Sequence, residues 1–172
     1  MPDWLAPGLR IVSVGINPSL PSARHGFPFA NPRNRFWPAL NASGLLAAPV
    51  TPGVDAMNVL LARDGIGFTD VVKRASAMEK DIDREAFRAG AGVLLEKLRA
   101  YRPQLVWLHG KTPLNALFRA AGATPGGEWG LQPATIEGIR VFVTPNPSPA
   151  NAAFTLDAIT GWYRRVAENV AG

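Results

Sequence analysis

Three short apolar runs rich in β-branched residues punctuate the chain: Leu9 to Val14, Leu105 to Leu108 and Ile139 to Val143. Near-continuous apolarity, rather than alternation, predicts strands covered on both faces, as in a parallel sheet. Between the runs the spacing becomes helical. From about Asp83 to Tyr101, the residues Phe87, Leu94, Leu98 and Tyr101 fall on one face before Arg102-Pro103 ends the pattern. Phe154, Ile159, Trp162, Tyr163 and Val166 repeat in the same way near the C-terminus, with Arg164, Arg165 and Glu168 on the solvent side. Weaker patterns predict helices over Arg35 to Ser43, Val54 to Arg63 and Pro113 to Ala121, and a short strand over Gly67 to Thr69. Strands that alternate with helices need crossover connections, so the expected fold class is α/β, a three-layer α/β/α arrangement around a mainly parallel central sheet. The 172 residues suit one domain spanning 1–172.

In an open parallel sheet the ligand crevice lies beyond the carboxyl ends of the strands. Gly15-Ile16-Asn17-Pro18-Ser19 follows the first strand, and Thr144-Pro145-Asn146-Pro147-Ser148-Pro149-Ala150-Asn151 follows the last. Two Asn-Pro-Ser tripeptides are therefore expected to face one cleft. Proline fixes φ and restrains the residue before it, so each tripeptide offers a carboxamide and a hydroxyl with little freedom to move. A single copy reads as easily as a turn; two copies after two strands read as a polar site. Gly26 to Trp37 is equally dense, with Phe27, Phe29, Phe36, Trp37, two arginines and two asparagines. Phe36 and Trp37 suit the start of a core-facing helix, whereas Phe29, held between Pro28 and Asn31-Pro32, suits a loop whose ring stacks on a base.

Composition narrows the chemistry. There are no cysteines and only two histidines, which removes disulfides, thiolate metal sites and cysteine nucleophiles, and His25 and His109 are too scattered to hold a metal. Neither a metal nor a cofactor is expected. A formal charge of +5 favours a polyanionic partner such as nucleic acid. No apolar run approaches the ~20 residues of a membrane span, and Met1-Pro2-Asp3-Trp4 does not open a secretion signal, so a cytoplasmic protein is expected. His109-Gly110-Lys111-Thr112 ends like a phosphate-binding loop but has Leu105 where that motif needs its first glycine, and no dinucleotide fingerprint follows the first strand.

Gly15-Ile16-Asn17-Pro18, Phe27-Pro28-Phe29-Ala30-Asn31-Pro32, Asn34-Arg35-Phe36-Trp37 and Asn146-Pro147-Ser148 together resemble the mismatch-specific uracil-DNA glycosylase and thymine-DNA glycosylase family. Gly67 to Arg74, Phe87 to Gly90 and Gly110-Lys111 fall in matching order, so nearly the whole chain takes part. The resemblance implies a uracil-DNA glycosylase-like fold. It implies a monofunctional enzyme that hydrolyses the N-glycosidic bond of uracil, or of thymine or a modified pyrimidine, mispaired with guanine, and so initiates base excision repair. The partner would be duplex DNA carrying G:U or G:T mispairs, or single-stranded DNA, and the protein a nucleoid-associated bacterial monomer. Two alternatives stay open: the same fold acting on another deaminated base, and a catalytically weak nucleic-acid-binding relative. Asn17 would orient the attacking water. Ile16, Pro18, Ser19, Phe29, Asn31, Asn146 and Ser148 would form the base pocket, while Ser22, Arg33, Lys73, Lys111, Pro149, Ala150 and Asn151 would meet DNA or fill the vacated stack.

The chain departs from the family pattern in three ways. Pro149-Ala150-Asn151-Ala152 stands where relatives carry a bulky apolar wedge and a basic residue, which predicts weaker grip on duplex and more activity on single strands. Ser19 replaces a common glycine, either to reach the base or to tighten the turn. Asp70 brings a carboxylate to the end of a strand, either as a general base that Asn17 cannot be or as a partner for Lys73 or Arg74, and Asp81 is a second such candidate. Arg24, Arg33, Arg35, Lys73, Arg74, Lys80 and Lys111 are the basic residues expected near strand-end loops and available for phosphates.

Overall fold

The computed structural model describes residues 1–170. The elements run β1 (Ile11–Gly15), α1 (Leu20–His25), α2 (Phe36–Ala42), α3 (Val54–Val59, continued by a wider π turn over Leu60–Asp64), β2 (Ile66–Asp70), α4 (Arg84–Tyr101), β3 (Leu105–His109), α5 (Lys111–Ala120), β4 (Gly130–Leu131), β5 (Arg140–Thr144) and α6 (Leu156–Val170). The sheet order is β2-β1-β3-β5-β4, and only the short β4 is antiparallel to its neighbour. The α/β expectation holds, with each predicted strand displaced by a residue or two.

Strand alternation divides the core into two layers. Val12, Val14, Val106, Leu108, Val141 and Val143 pack against Leu94, Leu98, Leu114, Leu117 and Phe118 of α4 and α5. The odd positions Ile11, Leu105 and Trp107, with Phe68 and Phe142, pack against Phe36, Leu40, Met57, Ile159, Tyr163 and Val166 on the other face. Both faces are covered, so the apolar runs had no polar alternation to display. Three elements are absent from the sequence reading. The first is α1, hidden in a Pro-Ser-rich stretch that reads as a turn. Ser19 is its N-cap, with its side chain accepting from Ser22 N–H at 3.2 Å, and proline is tolerated in a first turn. The other two are the two-residue β4 and the single 3₁₀ turn Glu79–Asp81, both too short to carry a periodicity. Phe154 lies outside α6 and packs on Trp129 at 5.6 Å between ring centroids.

One close approach fixes where α4 sits. A Cβ on Gly90 would stand 2.0 Å from the Val71 carbonyl oxygen, whereas Gly92, in the same helix, faces open space. Gly90→Ala is expected to cost about 2–3 kcal/mol through forced separation of α4 from the end of β2. Gly92→Ala should instead stabilise by about 0.5–1 kcal/mol, the propensity difference between the two residues in a helix interior. Urea titration of both variants checks the pair; equal effects would contradict this packing.

Candidate active site

Strand register assembles the site before any loop does. Gly15 pairs with Asp70, Val14 with Leu108, and His109 with Thr144, so Asp70, Gly15, His109 and Thr144 form one row across the carboxyl ends of four parallel strands. They share the odd face, under Phe36. Gly15 is the gap in the row: a Cβ there would lie 2.7 Å from Asp70 Oδ1, so the carboxylate leans across the space a side chain would fill. Above the row opens a cavity of about 470 Å³, within the ~300–1,000 Å³ range of small-molecule sites. Both Asn-Pro-Ser segments line it, as do Phe29, Asn34, Asp70, His109 and the loop 76–80.

Each polar group is oriented by its neighbours. Asn17 Nδ2 donates to the Arg74 carbonyl and Ser76 Oγ, both at 2.9 Å, and to the Pro18 carbonyl at 3.2 Å, which leaves Oδ1 as the carboxamide's open acceptor. Asn146 is tied the other way round: Oδ1 accepts from Ser148 N–H at 2.9 Å, leaving Nδ2 to donate. Phe29 has a left-handed backbone, φ 58°, and one ring face stacks on Phe36 with centroids 4.1 Å apart. Its edge meets His109 at 5.2 Å. His109 is fully enclosed, and burial pushes its pKa down to about 3, so the ring is neutral and bonds Ser13 Oγ through Nε2 at 2.7 Å.

Asp70 has the most perturbed carboxylate. Burial pushes its pKa up to about 6 against the pull of Lys73, whose ammonium stands 3.8 Å from Oδ2. Lys73 is closer to Asp3, at 2.6 Å, and Asp3 also binds Lys97 at 2.6 Å and Thr69 Oγ1 at 2.8 Å. Burial raises the Asp3 pKa, but those three donors outweigh it and hold the group below the ordinary carboxylate range. Asp70 Oδ2 is buried and accepts no hydrogen bond, with the Lys73 ammonium 3.8 Å away, while Oδ1 is the oxygen that leans over Gly15.

The other expected site residues divide between the cavity and its surroundings. Asp81 does not line the cavity; its carboxylate accepts from Met78 N–H at 3.0 Å and closes the 3₁₀ turn. Asn31 also lies outside, its Oδ1 accepting from Arg33 N–H at 2.9 Å to make a local turn. Ser19 caps α1. Ser22 lines the cavity although it is buried, and its Oγ accepts from Ala30 N–H at 3.2 Å, which braces the Phe29 loop. Lys111 donates to the Gly127 carbonyl at 2.9 Å and lies over Trp129. With Lys73 on Asp3, neither lysine is a free phosphate contact. Pro149 stands outside the lining, whereas Ala150 and Asn151 reach it. Arg33 is exposed, and with Arg24 and Lys80 it makes no side-chain bond or ion pair among the described residues.

Arg35 was the residue the sequence most underdescribed. It reads as a helix-surface or phosphate-binding arginine, yet its guanidinium donates to four backbone carbonyls: Pro147 at 3.3 Å, Ser148 at 2.6 Å, Asn151 at 2.7 Å, and Phe154. Its own N–H donates to Pro147 O as well, at 3.2 Å. The fork thus clamps the whole 147–154 loop to the start of α2. No local pattern in the sequence marks this role, because its partners lie more than a hundred residues away.

The uracil DNA glycosylase superfamily model matches residues 2–168 of the chain. A solution NMR structure from Methanosarcina acetivorans, described as a candidate uracil DNA glycosylase, superposes with a TM-score of 0.63 at 22% identity, covering 98% of this chain and 96% of that one.

Two outcomes test the geometry. Arg35→Ala should lose about 3 kcal/mol, since charge-assisted bonds to carbonyls contribute roughly 1.5–3 kcal/mol each and the loop can partly resolvate. Arg35→Lys should not restore it, because an ammonium lacks the planar fork. Urea titration and amide exchange over 146–154 read both effects; unchanged exchange would contradict the clamp. For Asp70 the folded pKa is raised, so its contribution to stability is full below about pH 4 and is lost as pH rises through about 6. Asp70→Asn should flatten that part of the stability profile, and a parent-like slope would contradict the burial of the carboxylate.

Proposed function

We propose, from the premise that the chain belongs to the uracil DNA glycosylase superfamily, that it is a monofunctional glycosylase releasing uracil from G:U mispairs in DNA and so initiating base excision repair. The observation that carries this reading is the pairing of an aromatic platform with an oriented carboxamide in one cavity at the strand ends. Phe29, backed by Phe36, offers its free face to a flipped pyrimidine. Asn17, with its amide hydrogens engaged, offers only Oδ1, the group that can hold a water's proton while its oxygen faces C1′. Asn146 Nδ2 donates to a base carbonyl across the cavity, and Ser148, Ile16 and Pro18 complete the walls.

Extrusion of the nucleotide costs a few kcal/mol, and less at a mispair, so selection for mismatches begins before the base is read. An amide cannot accept a proton at neutral pH. Bond cleavage therefore runs ahead of water attack, and hydrogen bonds to the departing base anion supply much of the rate. Asp70 supplies what Asn17 lacks. As a carboxylate above pH 6 it stabilises the cationic sugar and takes the proton of the attacking water, and its enclosed setting strengthens both effects. The products are free base and an abasic site, without strand cleavage, because the nucleophile is the water held by Asn17 and not an amine; Lys80 is the one lysine among the described lining residues. Thymine and modified pyrimidines that fit beside Phe29 are further substrates.

Single-turnover base release from duplexes carrying G:U, G:T and A:U, and from single-stranded uracil, tests the proposal. Asn17→Ala is expected to lower release from G:U by about 10²-fold or more, the usual range for a residue acting on the reacting water. The parent rate should climb as pH passes about 6, and Asp70→Asn should be slow and flat there. No release from any substrate would overturn the enzyme reading; a parent-like profile for Asp70→Asn would remove the carboxylate from the mechanism.

A further inference from the structure

A nucleotide swung out of a duplex leaves a gap, and unless something fills it the stack recloses and expels the base from the pocket. Proteins that distort DNA commonly fill such gaps with an apolar side chain. At the β5 side of the cavity the rim residue is Ala150, whose single methyl group is too short to enter a stack. Across the cavity, on the β2 side, Met78 lines the same mouth with 53% of its surface exposed.

That exposure is built. The Met78 backbone is extended, its N–H donates to Asp81 Oδ2 at 3.0 Å, and its carbonyl accepts from Ser76 Oγ at 2.8 Å and Asp81 N–H at 3.1 Å. Arg74 donates to the Asp81 carbonyl at 3.0 Å and closes the turn. The turn is also fastened to Asn17, through the Asn17 Nδ2 bond to Ser76 Oγ and the Ser76 N–H bond to the Pro18 carbonyl at 3.2 Å. Ser19 bridges Ser76 as well, so the start of α1 and this turn are held together. Lys80 lines the rim two residues on, placing a positive charge near any strand that crosses it. An exposed methionine costs solvation free energy in the free protein, and Asp81 and Arg74 are committed to keeping it there.

We propose that Met78 is the plug that enters the base stack of duplex DNA when the target nucleotide is extruded, taking over the part that Ala150 cannot play. The inference rests on the glycosylase reading and adds the segment that grips the duplex. An unbranched thioether has three torsions and adapts to gaps of different shape, which suits an enzyme acting on several mispairs. Because the turn shares hydrogen bonds with Asn17, entry of the plug and orientation of the water are mechanically joined.

The test compares the parent with Met78→Ala and Met78→Leu, using single-turnover release from G:U duplex and single-stranded uracil, and binding to a duplex carrying a tetrahydrofuran abasic analogue with 2-aminopurine beside it. Met78→Ala should lower the duplex-to-single-strand rate ratio and the affinity for the abasic duplex about tenfold each, comparable with losing one partly buried apolar side chain. It should also reduce the 2-aminopurine change on binding, and Met78→Leu should restore all three. Parent-like ratio and affinity in Met78→Ala would overturn the plug while leaving the glycosylase reading intact, as would equal losses on duplex and single strand. Were the parent to release no base at all, the glycosylase reading would fall, and abasic-duplex binding would still decide the plug: a tenfold loss in Met78→Ala supports it, and none overturns it.

Discussion

The site depends on one arginine spending its charge on backbone. The 147–154 loop carries several carbonyls that point toward Arg35 and has two prolines with no N–H to donate. Such a segment would splay toward water without a multivalent donor. Arg35 satisfies four of those carbonyls at once, and its planar fork fixes their relative positions as well as their hydrogen bonding. Since Arg35 precedes Phe36, and Phe36 backs Phe29, the same residue ties the second Asn-Pro-Ser segment to the aromatic platform. Both walls are therefore referenced to one helix start.

A second constraint comes from the sheet. Strand register places Asp70, Gly15, His109 and Thr144 in a row, and the missing side chain at Gly15 lets the carboxylate reach the cavity floor. Enclosure then separates the fates of the titratable groups. His109 becomes a neutral structural ring held by Ser13, while Asp70 is carried toward physiological pH, the condition under which a carboxyl group can exchange a proton in a reaction. Asp3 draws the nearby lysine charge to itself and so limits how far Lys73 can hold Asp70 ionised.

The basic surface is correspondingly smaller than the net charge suggests. Of the seven side chains near strand-end loops, Arg35, Lys73, Arg74 and Lys111 are engaged with carbonyls or carboxylates of the protein. Charge counted from a sequence says nothing about which ammonium groups are already answered, and a chain with many prolines leaves carbonyls that must find donors in side chains. The cations that read as a phosphate footprint are largely the means by which the loops are held in place.

Local chemistry explains what was legible. Apolar runs and helical spacing were enough for an α/β sheet and its strand-end crevice, and the paired Asn-Pro-Ser segments located two walls of the cavity. Asn17, Phe29, Asp70, Asn146 and Ser148 were named because their residue types and their places after strands limit what they can do. Burial, register and donor geometry are set by residues far apart in the chain, and these only the fold decided. Asn31 and Asp81 look like site residues because short polar side chains in loops can act either outward or on nearby backbone, and both accept from backbone N–H groups two or three residues away. Met78 and Arg35 are the converse. A methionine is expected to be buried and an arginine exposed, yet Met78 is half exposed on a braced turn and Arg35 is partly buried against the carbonyls of the 147–154 loop.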